Sequence, residues 1–319
     1  LAMLLSVGLC GAYLQLARRW QLLAHPNHRS SHDLPTPHGG GVGILSCLAL
    51  VTVVSGFGGV SWPVEVYWLL GLALSLTVLG VVDDAMHLSV RLRFTVYALC
   101  CLVLALVCLA PLELWRWWLL LPAVVALLWG MNLFNFMDGI DGIAALQCAV
   151  ACCAAGLLAF VYGGSPEYAL FCLMLAFAHL GFLVWNFPPA KLFMGDAGSI
   201  PSGFLLGGLA LWGAVSGAVA PAVWLILLAC FVTDASWTLM RRLLRGDNVL
   251  QAHREHLYQR LSRHWGSHLA VDLALLAVVS LWLFPLAWFA QTNEEHGLFL
   301  VTLAYSPLLI CMAKTGDLT

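Results

Sequence analysis

Aspartates and asparagines in this chain gather in short polar segments between long apolar runs. Asp83 and Asp84 are adjacent, and Arg91 and Arg93 follow closely. Adjacent carboxylates repel unless a cation or a hydrogen-bond donor compensates. Carboxylates suited to a hard cation, beside arginines suited to phosphate, outline phosphoryl transfer. Asn132, Asn135 and Asp138 recur every third residue, so a helix carrying them shows amide, amide and carboxylate on one face. The Asp138-Gly139 and Asp141-Gly142 steps then end that helix. Hard oxygen donors of this kind suit Mg²⁺ rather than zinc. Asp196 opens another apolar run, which places its carboxylate near a helix N-terminus where metal and phosphate are also favoured. Phe193 is an aromatic at loop depth, able to stack on a base or simply to pack.

The remaining polar segments are cationic. In the segment after Arg241, a helical projection puts Leu250, Leu257 and Leu261 on one stripe. His253, His256, Arg260 and Arg263 fall on a neighbouring one. That predicts an interfacial amphipathic helix whose basic flank, with Arg254, meets an anion. A zinc pair of His253 and His256 lacks a third ligand at suitable spacing. Near the N-terminus, His25 to Gly41 carries prolines that forbid a helix and three glycines that let backbone N–H groups approach a phosphate.

Long apolar runs must hold these segments in place. Of 319 residues, 62% are hydrophobic and only 9% charged, against about 25% charged in an ordinary soluble domain. One water-soluble core cannot hide that much apolar surface. The 14 Lys and Arg residues balance 16 Asp and Glu with no basic tail, so no nucleic-acid partner is expected. The sequence starts at Leu1 with an apolar run already under way, so a trimmed fragment or a missing signal-like start is expected. The 11 cysteines lie in apolar runs without ligand spacing and read as packing residues. A helix needs about 20 apolar residues to cross a bilayer. Stretches of that order lie at 1–17, 41–60, 64–82, 94–110, 117–136, 143–162, 168–187, 199–217, 219–238, 269–290 and 298–313, which predicts eleven spans. The expected fold is an all-α, polytopic integral membrane protein, with residues 1–319 forming a single membrane-embedded domain.

If odd-numbered spans end in the cytoplasm, every Lys and Arg except Arg116 falls on the inner side. The N-terminus is then outside and the C-terminus inside. Trp62, Trp68, Trp115, Trp117, Trp118 and Trp288 gather near the outer helix ends. Every aspartate lies on the inner side or at an inner helix end, whereas Glu65, Glu113, Glu167, Glu294 and Glu295 lie outside. Short carboxylates converging near hydrocarbon mark a built site. The five polar segments are therefore expected to be cytoplasmic loops that form the active site. His179, alone inside the seventh span, reads as a satisfied packing residue.

Taken in order, these loops resemble those of the polyprenyl-phosphate N-acetylhexosamine-1-phosphate transferases, the MraY/WecA superfamily. The matching pieces are Arg29-Ser30-Ser31-His32 with Pro35-Thr36-Pro37, Asp83-Asp84, Asn132 to Gly142, Phe193 to Ser199, and His253-Arg254-Glu255-His256. The Ser-Ser-His loop and Tyr258-Gln259-Arg260-Leu261 are most similar to the WbpL-type branch, which starts O-antigen chains. One position departs: His38 stands where that branch has arginine, so no fixed positive charge is placed on phosphate there.

The resemblance implies a transferase of a lipopolysaccharide or cell-wall biogenesis pathway in a bacterial inner membrane, multi-pass, with its active site facing the cytoplasm. Undecaprenyl phosphate attacks the β-phosphorus of a UDP-linked N-acetylated sugar, and UMP leaves. The implied cofactor is Mg²⁺, or Mn²⁺ in its place, on the positions matching Asn135 and Asp196. Uracil is implied near Phe193, Asn186 and Asp141. Asp83, Asp84, Asp138 and Asp196 are the implied catalytic carboxylates, with Asp83 either a base or a group that orients the lipid phosphate. Thr36, Arg91, Arg93, His253, Arg254 and His256 are further substrate contacts. A covalent route through Asp196 stays open. A homodimer is also implied, and Ser199, Gly203 and Gly207 at four-residue spacing permit close helix approach, between subunits or within one.

Two rival classes fit less well. A secondary transporter places ionisable groups near the bilayer midplane, where this chain has only His179. An enzyme using nucleotide-activated diacylglycerol carries its aspartates along one helix rather than in five loops.

Overall fold

The computed structural model describes residues 1–24, 35–86, 88–248, 251 and 253–315. Arg29-Ser30-Ser31-His32, with His25 and His28 of the same segment, lies outside them, as does Leu250. The apolar runs become helices: α1 (Ala2–Arg19), α2 (Gly41–Phe57), α3 (Val64–Met86), α4 (Val90–Leu109), α5 (Leu120–Phe136), α6 (Ile143–Leu158), α7 (Pro166–Asn186), α8 (Asp196–Ser216), α9 (Pro221–Leu227), α10 (Ala229–Leu244), α11 (Leu257–Trp265), α12 (His268–Val278), α13 (Phe284–Thr292) and α14 (Gly297–Lys314). Among the described residues the only strands are β1 (Leu23–Ala24) and β2 (Thr36–Pro37), which pair antiparallel.

Each of the eleven predicted stretches is helical, but the count of spans differs. Among the described residues, eight helices are long and apolar enough to cross a membrane, and a ninth is added if α9 and α10, bent by 67°, form one broken span. The other two stretches fall short for physical reasons. α2 has 17 residues, or about 25 Å against about 30 Å of hydrocarbon. α1 has 18 residues and closes on Arg18 and Arg19.

α6, α7 and α8 form the centre of the bundle. The spans Ile143–Gly163 and Asp196–Ser216 are each 72% buried, whereas His268–Thr292 and Glu294–Lys314 are 22% buried and lie at its edge. Two glycine contacts bring the site-bearing end of α8 against its neighbours. A Cβ on Gly41 of α2 would stand 2.1 Å from the Cα of Gly198, and one on Gly80 of α3 would stand 2.6 Å from the Cα of Ala197. Backbone meets backbone at both places, so the first turn of α8, which carries Asp196, is held from two sides.

The small-residue stripe on α8 is used within the chain. Gly203 packs on Met131 and Phe134 of α5, Gly207 packs on Leu127, and the Ser199 hydroxyl bonds Asn135. Close helix approach occurs here between α5 and α8, so the stripe gives no support to a subunit interface. His179 is satisfied as expected: its Nδ1 lies 3.0 Å from the Leu175 carbonyl and its Nε2 2.9 Å from Ser202 Oγ. A carbonyl can only accept, so Nδ1 carries the proton and Nε2 accepts from the serine.

Candidate active site

All five polar segments contribute to one cavity of about 490 Å³ at the end of the bundle. The first supplies His38 and the second Asp84. Asn135, Asp138 and Asp141 come from the third, and Asn186, Phe193 and Asp196 from the fourth. Gln259 and His268 come from the fifth. The loops are tied to one another by backbone bonds. Gly40 N–H donates to the Phe193 carbonyl at 2.9 Å, Gly41 N–H to Met194 at 3.1 Å, and Phe193 N–H to Pro37 at 2.8 Å.

One wall is acidic. Arg93 places Nη1 2.5 Å from Asp83 Oδ2 and 3.6 Å from Asp196 Oδ2. Asp83 also accepts the Leu88 N–H at 2.8 Å, so it fixes Arg93 rather than lining the cavity. Asn135 Oδ1 accepts the Ser199 hydroxyl at 2.5 Å. Asp138 is half-buried, and desolvation, with Asp196 and Asp141 nearby, pushes its carboxyl well above the ordinary 3.8. The expected row of Asn132, Asn135 and Asp138 is divided. α5 ends at Phe136, so Asp138 sits beyond the helix, and buried Asn132 donates to the Leu128 carbonyl at 2.7 Å instead of lining the cavity.

His38 lies 3.2 Å from Asp84 Oδ2. The bond to Asp84 holds the imidazole above its ordinary 6.5, against the opposing effect of burial, and the charges of Asp84 and Asp196 add to it. A base whose folded value is raised stabilises the fold fully below its unfolded value, and that contribution is lost as pH rises through the folded one. His38 should therefore titrate above 6.5 in metal-free protein, and Asp84→Asn should bring it down. Histidine NMR titration of both forms checks this; an unshifted His38 in the Asp84→Asn variant would refute the pairing.

Another group of lining residues is interlocked. Asn186 accepts the Gly142 N–H at 3.0 Å and donates to the Leu192 carbonyl at 3.0 Å, so both ends of its amide are engaged. Asp141 Oδ2 accepts the Ala190 N–H at 3.0 Å and lies 3.3 Å from His268 Nδ1. Phe193 leaves an aromatic face beside them.

A second cavity of about 920 Å³ shares Asp141, Phe193 and His268 with the first. Thr36 and Arg254 line it together with Arg18, Lys191 and Arg263. An acidic chamber thus adjoins a cationic one. Arg91 is exposed and lines neither.

The fifth segment departs from its expected form. Residues 253–256 precede α11 rather than lying on it, because the helix begins at Leu257. His256 is 3% exposed, stacks on Phe136 and on Tyr258, and has Nδ1 3.4 Å from Asp234 Oδ1. His253 packs on its ring at 4.7 Å. Neither histidine lines the cavities. What reaches the first cavity from this segment is Gln259, which the sequence marks only as part of the Tyr258-Gln259-Arg260-Leu261 match, and His268, which it does not mark. The signals were present: Ser267 caps α12, accepting the Ala270 N–H at 3.2 Å, and a helix starting at Leu257 brings Gln259 inward. Asp234 was also missed, since it lies inside an apolar run.

A polytopic helical membrane protein with this two-chambered polar site at one end of its bundle is a membrane enzyme in outline. A family model described as glycosyl transferase family 4 matches residues 66–214. The chain is 27% identical over 257 residues to a probable undecaprenyl-phosphate N-acetylglucosaminyl 1-phosphate transferase of Bacillus subtilis, covering 76% of this chain and 70% of that protein. It is 29% identical over 319 residues to a decaprenyl-phosphate N-acetylglucosaminephosphotransferase of Mycolicibacterium smegmatis, covering 87% and 77%. A phospho-N-acetylmuramoyl-pentapeptide-transferase of Phenylobacterium zucineum is 38% identical over 109 residues, 30% of each chain. These similarities support the resemblance of its polar loops to the MraY/WecA superfamily.

Proposed function

We propose that this protein transfers an N-acetylated sugar 1-phosphate from a UDP-sugar to undecaprenyl phosphate, releasing UMP. In this reading it works as one membrane-embedded domain in a bacterial inner membrane, with its site facing the cytoplasm, and starts an O-antigen or related cell-envelope polysaccharide. The convergence of five separated polar segments on one cavity, acidic on one wall and next to a cationic chamber, supports it best. The Bacillus and Mycolicibacterium relatives, named for polyprenyl-phosphate acceptors and N-acetylglucosamine phosphate, agree with it. A homodimer belongs to this reading on resemblance alone.

The chemistry follows from the arrangement. An oxygen of the lipid phosphate bonds to the β-phosphorus of the donor, and the bond from that phosphorus to the bridging oxygen of UMP breaks. The lipid phosphate is largely dianionic at neutral pH, its second pKa being about 6. It needs orientation more than proton removal. Arg93, fixed by Asp83, is the cation that orients it. Thr36, Arg254 and the neighbouring cations receive the donor's diphosphate. Phe193 stacks on the base in the frame set by Asn186 and Asp141. His253 and His256 act from behind, by shaping the turn that carries Arg254.

The cavity wall also fits a divalent cation. Asn135 and Asp196 present hard oxygens to one space, and Mg²⁺ typically takes one or two carboxylates and leaves its other positions to water and phosphate. Among the described residues no cluster of three or more Asp, Glu, His or Cys is placed to hold a metal, so a site shared with substrate is the one that fits. Asp196 with Asn135 would hold Mg²⁺ or Mn²⁺, which when bound supplies charge neutralisation to the diphosphate.

Membranes carrying the protein, given UDP-[¹⁴C]-N-acetylglucosamine and undecaprenyl phosphate, should yield one labelled lipid and one UMP per turnover. A panel extended to UDP-N-acetylgalactosamine covers the open choice of sugar. Absence of any labelled lipid across N-acetylated donors would overturn the assignment.

A further inference from the structure

Among the described residues three carboxamides line the main cavity, and their partners set one apart. Asn135 Oδ1 is held by Ser199. Asn186 has both ends of its amide bonded to backbone. Gln259 is 7% exposed, and its Oε1 is buried with no hydrogen-bond partner among the described residues. A buried, unpaired amide oxygen is costly, and such atoms in native structures mark a missing ligand, ion or water.

Gln259 is also held in place. It lies in the first turn of α11, whose leading N–H groups at Leu257 and Tyr258 are bonded by Asp234 at 2.8 and 3.0 Å. The Tyr258 hydroxyl donates to the Phe136 carbonyl at 2.9 Å. A Cβ on Gly139 would lie 2.1 Å from that hydroxyl and 3.0 Å from Gln259 Nε2, so glycine at 139 lets the amide reach the cavity wall. A neutral acceptor on so rigid a mount is built to read an N–H or O–H of a ligand rather than to neutralise phosphate.

We infer that Gln259 is a specificity-determining residue that accepts a hydrogen bond from the acetamido N–H of the donor sugar. This rests on the transferase reading above. In that reading the base is held around Phe193, Asn186 and Asp141, and the polar atoms of Asn186 and Asp141 are already bonded within the protein. Gln259 stands instead beside Gly139, and the turn bearing Arg254 leads into its helix. A site whose buried acceptor must be satisfied penalises a substrate that lacks the matching donor.

The test pairs enzyme and substrate changes. UDP-N-acetylglucosamine is compared with UDP-2-deoxyglucose, which has no donor at the same carbon. Gln259→Met keeps length and removes the acceptor; Gln259→Glu keeps an acceptor oxygen. The preference in kcat/KM for the acetamido donor should fall about tenfold or more in Gln259→Met and survive in Gln259→Glu even where turnover drops. Inhibition by UMP should be unchanged in both. An unchanged preference in Gln259→Met, with both donors slowed equally, would overturn the inference. So would UMP inhibition weakening in step with donor use, which would assign Gln259 to the nucleoside. Should Gln259→Met not fold, loss of preference in a folded Gln259→Glu would also count against it. A wild-type protein that transfers no UDP-sugar fails the transferase reading itself, and the inference with it. An active wild type with unaltered selectivity in the variants fails the inference alone.

Discussion

Asp196→Asn should lower turnover by a hundredfold or more while leaving insertion and folding intact. The carboxylate lies on the cavity wall, 3.6 Å from Arg93, with about a third of its side chain exposed. It is not a packing group. Its position comes from the next two residues, where Ala197 and Gly198 are pressed by Gly80 and Gly41. An amide of the same shape leaves those contacts alone and removes one negative charge. Taking away one preorganised electrostatic partner of a developing charge costs on the order of 10²–10³ in rate. Asp83 cannot replace it, because it is already committed to Arg93 and the Leu88 N–H. The measurement is turnover of labelled donor across a range of Mg²⁺ concentrations, beside a thermal melt in detergent. A folded Asp196→Asn protein with near-normal turnover would remove Asp196 from the site.

Much of this site was legible because the chain separates its polar residues so sharply from its apolar ones. Asp84, Asn135, Asp138, Asp141, Asn186, Phe193 and Asp196 were all readable from the loops, and all line one cavity. Periodicity was less reliable where a helix ended sooner or began later than its pattern. The triplet of Asn132, Asn135 and Asp138 assumed that α5 runs through Asp138, but α5 stops at Phe136. The basic flank assumed that residues 253–256 are helical, but Asp234 sets the start of α11 at Leu257. That register decides which side chains face inward, and so it brought in Gln259 and left His256 behind. The small-residue stripe of α8 shows a different limit. Spacing alone says that two helices approach closely, and only the packing says that the second one is α5 of the same chain.

Asp234→Ala should be the most damaging single change outside the cavity. Asp234 is 5% exposed. Its Oδ1 accepts the Leu257 N–H at 2.8 Å and the Thr238 hydroxyl at 3.2 Å, and its Oδ2 accepts the Tyr258 N–H at 3.0 Å. The first amides of a helix have no partner within it, and here one carboxylate from α10 supplies two. Alanine strands both. An unsatisfied buried donor costs about 1–3 kcal/mol, so the local loss is about 2–6 kcal/mol, enough to release α11 from α10. Release would displace Tyr258 from the Phe136 carbonyl and Gln259 from the cavity wall, and the turn with His256 and Arg254 would go with them. Turnover should fall steeply, and protease should cut in the 245–256 segment while the membrane-buried core stays intact. Asp234→Asn keeps one acceptor oxygen but turns its other end into a donor facing a donor. It should retain one of the two caps and fall between wild type and alanine in both readouts. Turnover and proteolysis in Asp234→Ala that match wild type would show that α11 is held by its other contacts, and that the aspartate merely accompanies them.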